Sequence, residues 1–174
     1  MSAFADIGAT SPRRDSESRH SYLTPGQLLF SITPATAVTI LGSCVAVALW
    51  DDVSGYGGMN HYLLPHWQGG AQTTKYGDVA NALLLARFER EGIAARRLQA
   101  KVFGGGCVID AFRSRGHDLG EQNVDVAREF LRSRRIPIVE EDVHGSRGMR
   151  LSFRTDDGST SVRHLKGAGD AMER

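Results

Sequence analysis

Cys44 and His61 are the two residues of this chain best suited to do chemistry together. Cys44 closes the run Thr39-Ile40-Leu41-Gly42-Ser43-Cys44, and His61 closes Gly57-Gly58-Met59-Asn60-His61. A nucleophilic thiol must be approachable and needs backbone N–H groups nearby to hold an oxyanion. A Gly-Ser-Cys corner offers both, because glycine lets the main chain come close to a substrate. An imidazole beside the thiol can take its proton, which makes a Cys–His nucleophile pair. Alone, the cysteine reads as a small buried hydrophobe and the histidine as a hydrogen-bonded core residue. Together they read as a cysteine-dependent amidohydrolase. A third group must hold the ring, and the Thr39 hydroxyl is a candidate. Gly42 and Ser43 on the cysteine side, with Gly58 and Asn60 on the histidine side, are expected near the substrate or the oxyanion. Strand alternation nevertheless turns the Asn60 side chain away from the face of His61.

The pair can meet only if the intervening chain is a hairpin of the right parity. Val45, Val47 and Leu49 alternate with Ala46, Ala48 and Trp50, the pattern of a strand buried on both faces. Asp51-Asp52-Val53-Ser54-Gly55 supplies a turn, and Gly57–Leu64 returns as a second strand that Pro65 stops. With an even loop, Asp52–Gly55, Asp51 faces Tyr56 and Ala46 faces His61. Cys44 then shares a face with His61, one diagonal away, within about 7–8 Å at Cβ. An odd loop separates them.

Around this hairpin, Leu28–Ile32 and Thr36–Ile40 read as strands. Asp78–Glu91 reads as a helix whose stripe is Val79, Leu83, Ala86 and Arg90, widened by Ala82, Leu84 and Phe88 and ended by Gly92. Leu98–Phe103 is a strand running into Gly104-Gly105-Gly106. A second helix covers Glu121–Ser133 with Val124, Ala127, Phe130 and Leu131 inward, and Ile136–Val139, Met149–Phe153 and Ser161–Leu165 complete the strands. The expected fold class is α+β, a layered sandwich of mixed β-sheet with two main helices. Residues 1–21 read as a flexible leader, 22–166 as one domain and 167–174 as a polar tail.

Composition removes several function classes. With 21 Lys and Arg against 20 Asp and Glu, the chain has no electrostatic footprint for nucleic acid or anionic membrane. No apolar run approaches the ~18 residues of a membrane span, and Met1–His20 is too polar for a signal peptide. Two cysteines cannot build a disulfide framework, so a reducing cytoplasm is the expected compartment. The histidines are His20, His61, His66, His117, His144 and His164; none pairs at helical i, i+4 spacing and no Cys-x-x-Cys exists, so neither metal nor cofactor is expected. Gly104-Gly105-Gly106 lacks the Lys-Ser/Thr of a phosphate loop and reads instead as a turn or a close approach to the active site. Cys107, just beyond it, reads as a packing residue.

The same residues resemble a known family. Thr-Ile-Leu-Gly-Ser-Cys-Val-Ala-Val at 39–47 and Gly-Gly-Met-Asn-His-Tyr-Leu-Leu-Pro at 57–65 are similar to the signature of CheD, the chemoreceptor glutamine deamidases. The similarity continues through Lys75–Asp78, Ala100–Gly105, Gly120–Val124 and Glu141–Arg150, and so runs from about Tyr22 to Leu165. The resemblance implies a Cys–His–Thr triad of Cys44, His61 and Thr39, on a layered fold like the catalytic domain of the cytotoxic necrotizing factor toxins. It implies glutamine side chains on the helical cytoplasmic bundles of methyl-accepting chemotaxis receptors as substrates. It also implies methylesterase action on the same sites and a CheC-type phosphatase partner in some members. His144-Gly145 departs from the glycine pair usual in the family, and the leader before Tyr22 is longer than in compact members.

On this reading the Cys44 thiolate attacks the glutamine Cδ, His61 hands its proton to departing ammonia, and water releases glutamate from a thioester. A non-catalytic adaptor that binds receptors or a CheC-type phosphatase, and a cysteine peptidase, are the competing classes.

Overall fold

The computed structural model describes residues 19–107 and 118–166, and the expectations for the leader up to residue 18, for His117 and for the 167–174 tail lie outside them. Its central strand is β4 (Val45–Asp51), in which every residue is buried. Two different cores explain this. Val45, Val47 and Leu49 point to one side, against Leu84, Phe88, Val124 and Leu131, while Ala46, Ala48 and Trp50 point to the other, against Ala37, Leu41, Leu151 and Phe153.

Among the described residues the strands fall into two sheets. One has the order β2-β5-β4-β6-β7, built from β2 (Leu28–Ser31), β5 (Tyr56–Asn60), β4, β6 (Gln99–Gly104) and β7 (Ile138–Val143). The other has the order β1-β3-β8-β9, built from β1 (Arg19–Tyr22), β3 (Ala35–Leu41), β8 (Met149–Arg154) and β9 (Thr160–His164). Each is mixed, with one parallel pair, β6–β7 and β1–β3 respectively. Helices α1 (Gly77–Arg90) and α2 (Leu119–Ser133) cover the outer face of the five-stranded sheet. The architecture is therefore α+β in three layers: helices, five strands, four strands. Among the described residues no helix is long and apolar enough to cross a membrane.

Four expectations change. β1 begins at Arg19 and pairs in parallel with β3, so residues 19–21 belong to a sheet and not to a leader. The return strand ends at Asn60 rather than Leu64, because Leu63 and Leu64 both give their N–H to the Lys75 carbonyl (2.9 and 3.0 Å) and so leave the ladder. The strand expected at Ile136–Val139 is shifted to Ile138–Val143, because Ile136 still serves the end of α2, giving its N–H to Leu131 O at 2.9 Å. On α1 the buried stripe is Ala80, Asn81, Leu84, Leu85 and Phe88, not Val79, Leu83 and Ala86. Alanine and leucine encircle this helix, so its apolar face has no sharp edge in the sequence, and a polar Asn81 sits inside the true stripe.

Candidate active site

The β4–β5 hairpin has the even loop. Asp51 pairs with Tyr56, the register runs to Ala48 opposite Met59, and it reappears at Val45 opposite Tyr62. Val45 and Tyr62 exchange both backbone hydrogen bonds, at 3.1 and 3.0 Å. That register sets Ala46 opposite His61 and turns Cys44 to the same face, the one directed at the four-stranded sheet.

Thr39 reaches the pair from the opposite sheet. It lies on the inward side of β3 and is fully buried, and His61 is only 2% exposed. Thr39 Oγ1 is 2.7 Å from the Leu23 carbonyl and 2.8 Å from His61 Nδ1. A carbonyl can only accept, so the single hydroxyl proton of Thr39 goes to Leu23. Thr39 Oγ1 must then accept from His61, which makes Nδ1 the protonated nitrogen. Leu23 O, 3.3 Å from Nδ1, shares that proton. The lone pair is left on Nε2, the nitrogen of a general base. Among the described residues Nε2 is buried without a hydrogen-bond partner, so its lone pair is uncommitted.

The electrostatics favour a neutral resting pair. Burial pushes the Cys44 thiol up, partly opposed by its own backbone N–H. Burial pushes the His61 imidazole down, partly opposed by the Leu23 carbonyl. Cys44 is half-buried, so reagents can reach it.

The corner around Cys44 is held from behind by its carbonyls. Gly42 O accepts from Gly106 N–H (2.8 Å), Cys44 O accepts from Gly105 N–H (2.8 Å), and Ser43 O accepts from Asn123 Nδ2 (3.0 Å). In a planar trans peptide the N–H points opposite to the C=O, so the Ser43 and Cys44 N–H groups are turned away from these supports. Gly104, at φ +102°, has no room for a Cβ beside the Cys44 carbonyl. The glycine triplet is thus the close approach to the cysteine corner that its sequence suggested. Cys107 follows it, half-buried, with its N–H on Gly145 O at 3.0 Å. His144, the departure from the glycine pair, holds a left-handed φ of +63° beside this turn and gives its N–H to Gly104 O at 3.1 Å.

Two expected neighbours of the substrate sit elsewhere. A Cβ on Gly58 would lie 2.7 Å from Leu29 O and 2.8 Å from Leu84 Cδ1, so this glycine exists to let α1 approach the sheet. Asn60 faces the same helix layer: its Oδ1 accepts Val47 N–H (2.9 Å) and its Nδ2 donates to Asn81 Oδ1 (2.8 Å). Both are structural. Gly42 and Ser43 do line the cysteine corner. Among the described residues no three His, Cys, Asp or Glu side chains gather as a metal would require.

Sequence reasoning missed Asn123 and the Leu23 carbonyl. Asn123, fully buried on α2, donates to Ser43 O and Leu63 O at 3.0 Å each, and its own carbonyl accepts the Tyr62 hydroxyl at 2.5 Å. A polar residue in line with Ala127 and Leu131 on an apolar stripe was the available signal. A backbone carbonyl leaves none.

The family described as CheD chemotactic sensory transduction matches residues 63–164. That span begins just past His61. Longer similarity comes from relatives, among them the "probable chemoreceptor glutamine deamidase CheD 1" of Anaeromyxobacter dehalogenans, 46% identical over 144 residues that cover 83% of this chain and 84% of that one. Namesakes in Rhodospirillum rubrum and Sulfurimonas denitrificans are 41% and 36% identical, covering 84% and 86% of this chain and 83% and 97% of theirs. Among solved structures, the Bacillus licheniformis hypothetical protein YfiH is similar at a TM-score of 0.47 and 17% identity, over 74% of this chain and 61% of that one.

Proposed function

The chain belongs to the CheD family, and on that premise we propose that it is a protein-glutamine deamidase, converting selected glutamine side chains of chemoreceptors to glutamate through a thioester on Cys44. The observation that carries this is the Leu23–Thr39–His61 relay, which leaves the Nε2 lone pair on the face shared with Cys44.

His61 Nε2 takes the thiol proton as Cys44 Sγ bonds to the glutamine Cδ. The Cys44 N–H, and that of Ser43 beside it, receive the oxyanion. The imidazolium returns its proton to nitrogen as the C–N bond breaks, and ammonia leaves. Water, deprotonated by the same Nε2, then attacks the thioester, giving glutamate and the free thiol. Thr39 and Leu23 hold the ring in one tautomer throughout. A methyl ester at the same site presents the same carbonyl with methanol as the leaving group, so methylesterase action needs no further machinery.

The substrate side chain comes from the helical cytoplasmic bundle of a methyl-accepting receptor, met in the cytoplasm. A CheC-type phosphatase belongs to this proposal as a second partner. So does kinship of the two-sheet frame to the cytotoxic necrotizing factor catalytic domain. The working unit is residues 22–166, extended back to Arg19 by the pairing of β1 with β3.

The test is mass spectrometry of a receptor cytoplasmic fragment incubated with the protein. Converted glutamines gain the small mass difference between amide and acid, and Cys44→Ala abolishes the gain. Retained conversion by that variant would sink the nucleophile assignment. Receptor binding without conversion by the wild type would favour an adaptor, and shortened chains a peptidase.

A further inference from the structure

The β4–β5 hairpin should continue past the Val45–Tyr62 pair, and it does not. In a regular antiparallel ladder the next hydrogen-bonded pair would be Ser43 with Leu64. Leu64 instead gives its N–H to Lys75 O (3.0 Å), and its carbonyl accepts from Gly77 N–H (2.7 Å). The Ser43 carbonyl is taken by a side chain, Asn123 Nδ2, which also holds the Leu63 carbonyl, each at 3.0 Å. One amide group therefore clasps both arms of the split hairpin, one residue before the nucleophile and two residues after the base. Asn123 is in turn anchored through its main chain by the Tyr62 hydroxyl at 2.5 Å.

The clasp bears on chemistry through the peptide it grips. Ser43 C=O and Cys44 N–H belong to the same planar unit, so a donor on that carbonyl fixes the opposite direction of the N–H. It also polarises the peptide and strengthens the N–H as a donor. We propose that Asn123 is a positioning residue for the deamidation, holding the Ser43–Cys44 peptide so that the Cys44 N–H stays aimed at the oxyanion. This rests on the deamidase reading. A regular Ser43–Leu64 rung would instead pull the Ser43 N–H into the ladder and withdraw it from the corner.

The experiment compares wild type, Asn123→Leu and Asn123→Ser on the receptor fragment. It measures kcat and KM for deamidation and, in parallel, the rate of Cys44 alkylation by iodoacetamide. Alkylation reads the accessibility and ionisation of the thiol but forms no oxyanion. The leucine, close in volume and with no donor at any pH, should lower kcat about 10- to 100-fold, a part of what loss of an oxyanion donor costs. KM and the alkylation rate should both stay within about threefold of wild type. Serine keeps one donor and should fall between. Unchanged kcat in both variants overturns the proposal, as does a parallel change in kcat and alkylation, which marks general disruption of the corner. Failure of both variants to fold assigns Asn123 to the scaffold and equally overturns it. A wild type that converts no glutamine overturns the deamidase reading, and this proposal with it.

Discussion

At the scale of single residues, Thr39 sets the tautomer of His61, because its one proton is already committed to the Leu23 carbonyl. Thr39→Ala removes the acceptor for His61 Nδ1 and frees the ring to turn or change tautomer. We expect kcat to fall about 10- to 100-fold, a share of what positioned acid–base catalysis supplies, with Thr39→Ser restoring most of it. Unchanged kcat in the alanine variant would remove Thr39 from the site. The resting ionisation gives a second test. A buried imidazole with a lowered pKa keeps its base form below the ordinary ~6.5, so the acid limb of the rate profile lies on the acid side of that value. A raised thiol pKa means that iodoacetamide alkylation of Cys44 climbs only above the ~8.5 of a free cysteine. Full alkylation at neutral pH would reveal a resting thiolate instead. Stability follows the same shifts. Because His61 is lowered in the folded state, the unfolded chain binds the proton first and stability falls as pH drops below ~6.5. Because Cys44 is raised, the unfolded chain loses its proton first and stability falls as pH rises above ~8.5. Urea denaturation across pH should therefore show these two groups favouring the interval between.

At the scale of elements, both helices end in the same way with different residues. Ile93 N–H reaches Phe88 O and Gly92 N–H reaches Glu89 O, while Ile136 N–H reaches Leu131 O and Arg135 N–H reaches Arg132 O. Both are Schellman ends, in which the residue after the cap takes a left-handed φ. Gly92 does so at +75° without cost, whereas Arg135 does so at +57° with a Cβ. Arg135→Gly should raise stability by about 0.5–1 kcal/mol and Gly92→Ala lower it by a similar amount, read as shifts in the urea midpoint. Equal midpoints would refute the account. The Gly92 stop was visible in the sequence and the Arg135 stop was not, since an arginine carries no turn preference. The hairpin shows the same division. Alternation in Val45–Trp50 predicted the hairpin but left its loop parity open; the structure supplied the even loop, and the early end of the return strand depended on Lys75, which takes both leucine N–H groups.

At the scale of the whole molecule, the candidate site lies at the seam between two sheets. Cys44 and His61 belong to the five-stranded side and Thr39 to the four-stranded side, so the ring-holding bond of 2.8 Å crosses the interface. Its spacing is set by the core between the sheets, where Leu151 lies directly beside Thr39 in the register of β3 and β8. Leu151→Ala should cost about 2–5 kcal/mol in denaturant unfolding. It should also reduce kcat under fully folded conditions, because the sheets can then shift relative to one another. Full activity with the expected stability loss would show that the seam tolerates such movement.

Local periodicity and residue chemistry determined the candidate nucleophile, its base, the hairpin that joins them and the α+β class, because each is a relation among residues close in sequence. The inward face of α2 was legible for the same reason. Only the tertiary structure decided the tautomer of His61, since that depends on Thr39, 22 positions earlier, and on the Leu23 carbonyl, 38 positions earlier. It also moved Gly58 and Asn60 from the substrate to the helix layer and brought Asn123 from α2 to the cysteine corner, 80 positions away. Hydrogen bonds of this kind have no period and no composition. They exist only once two sheets and a helix have packed, and so the surroundings of the candidate pair Cys44 and His61 are set by residues that gave little sign of it.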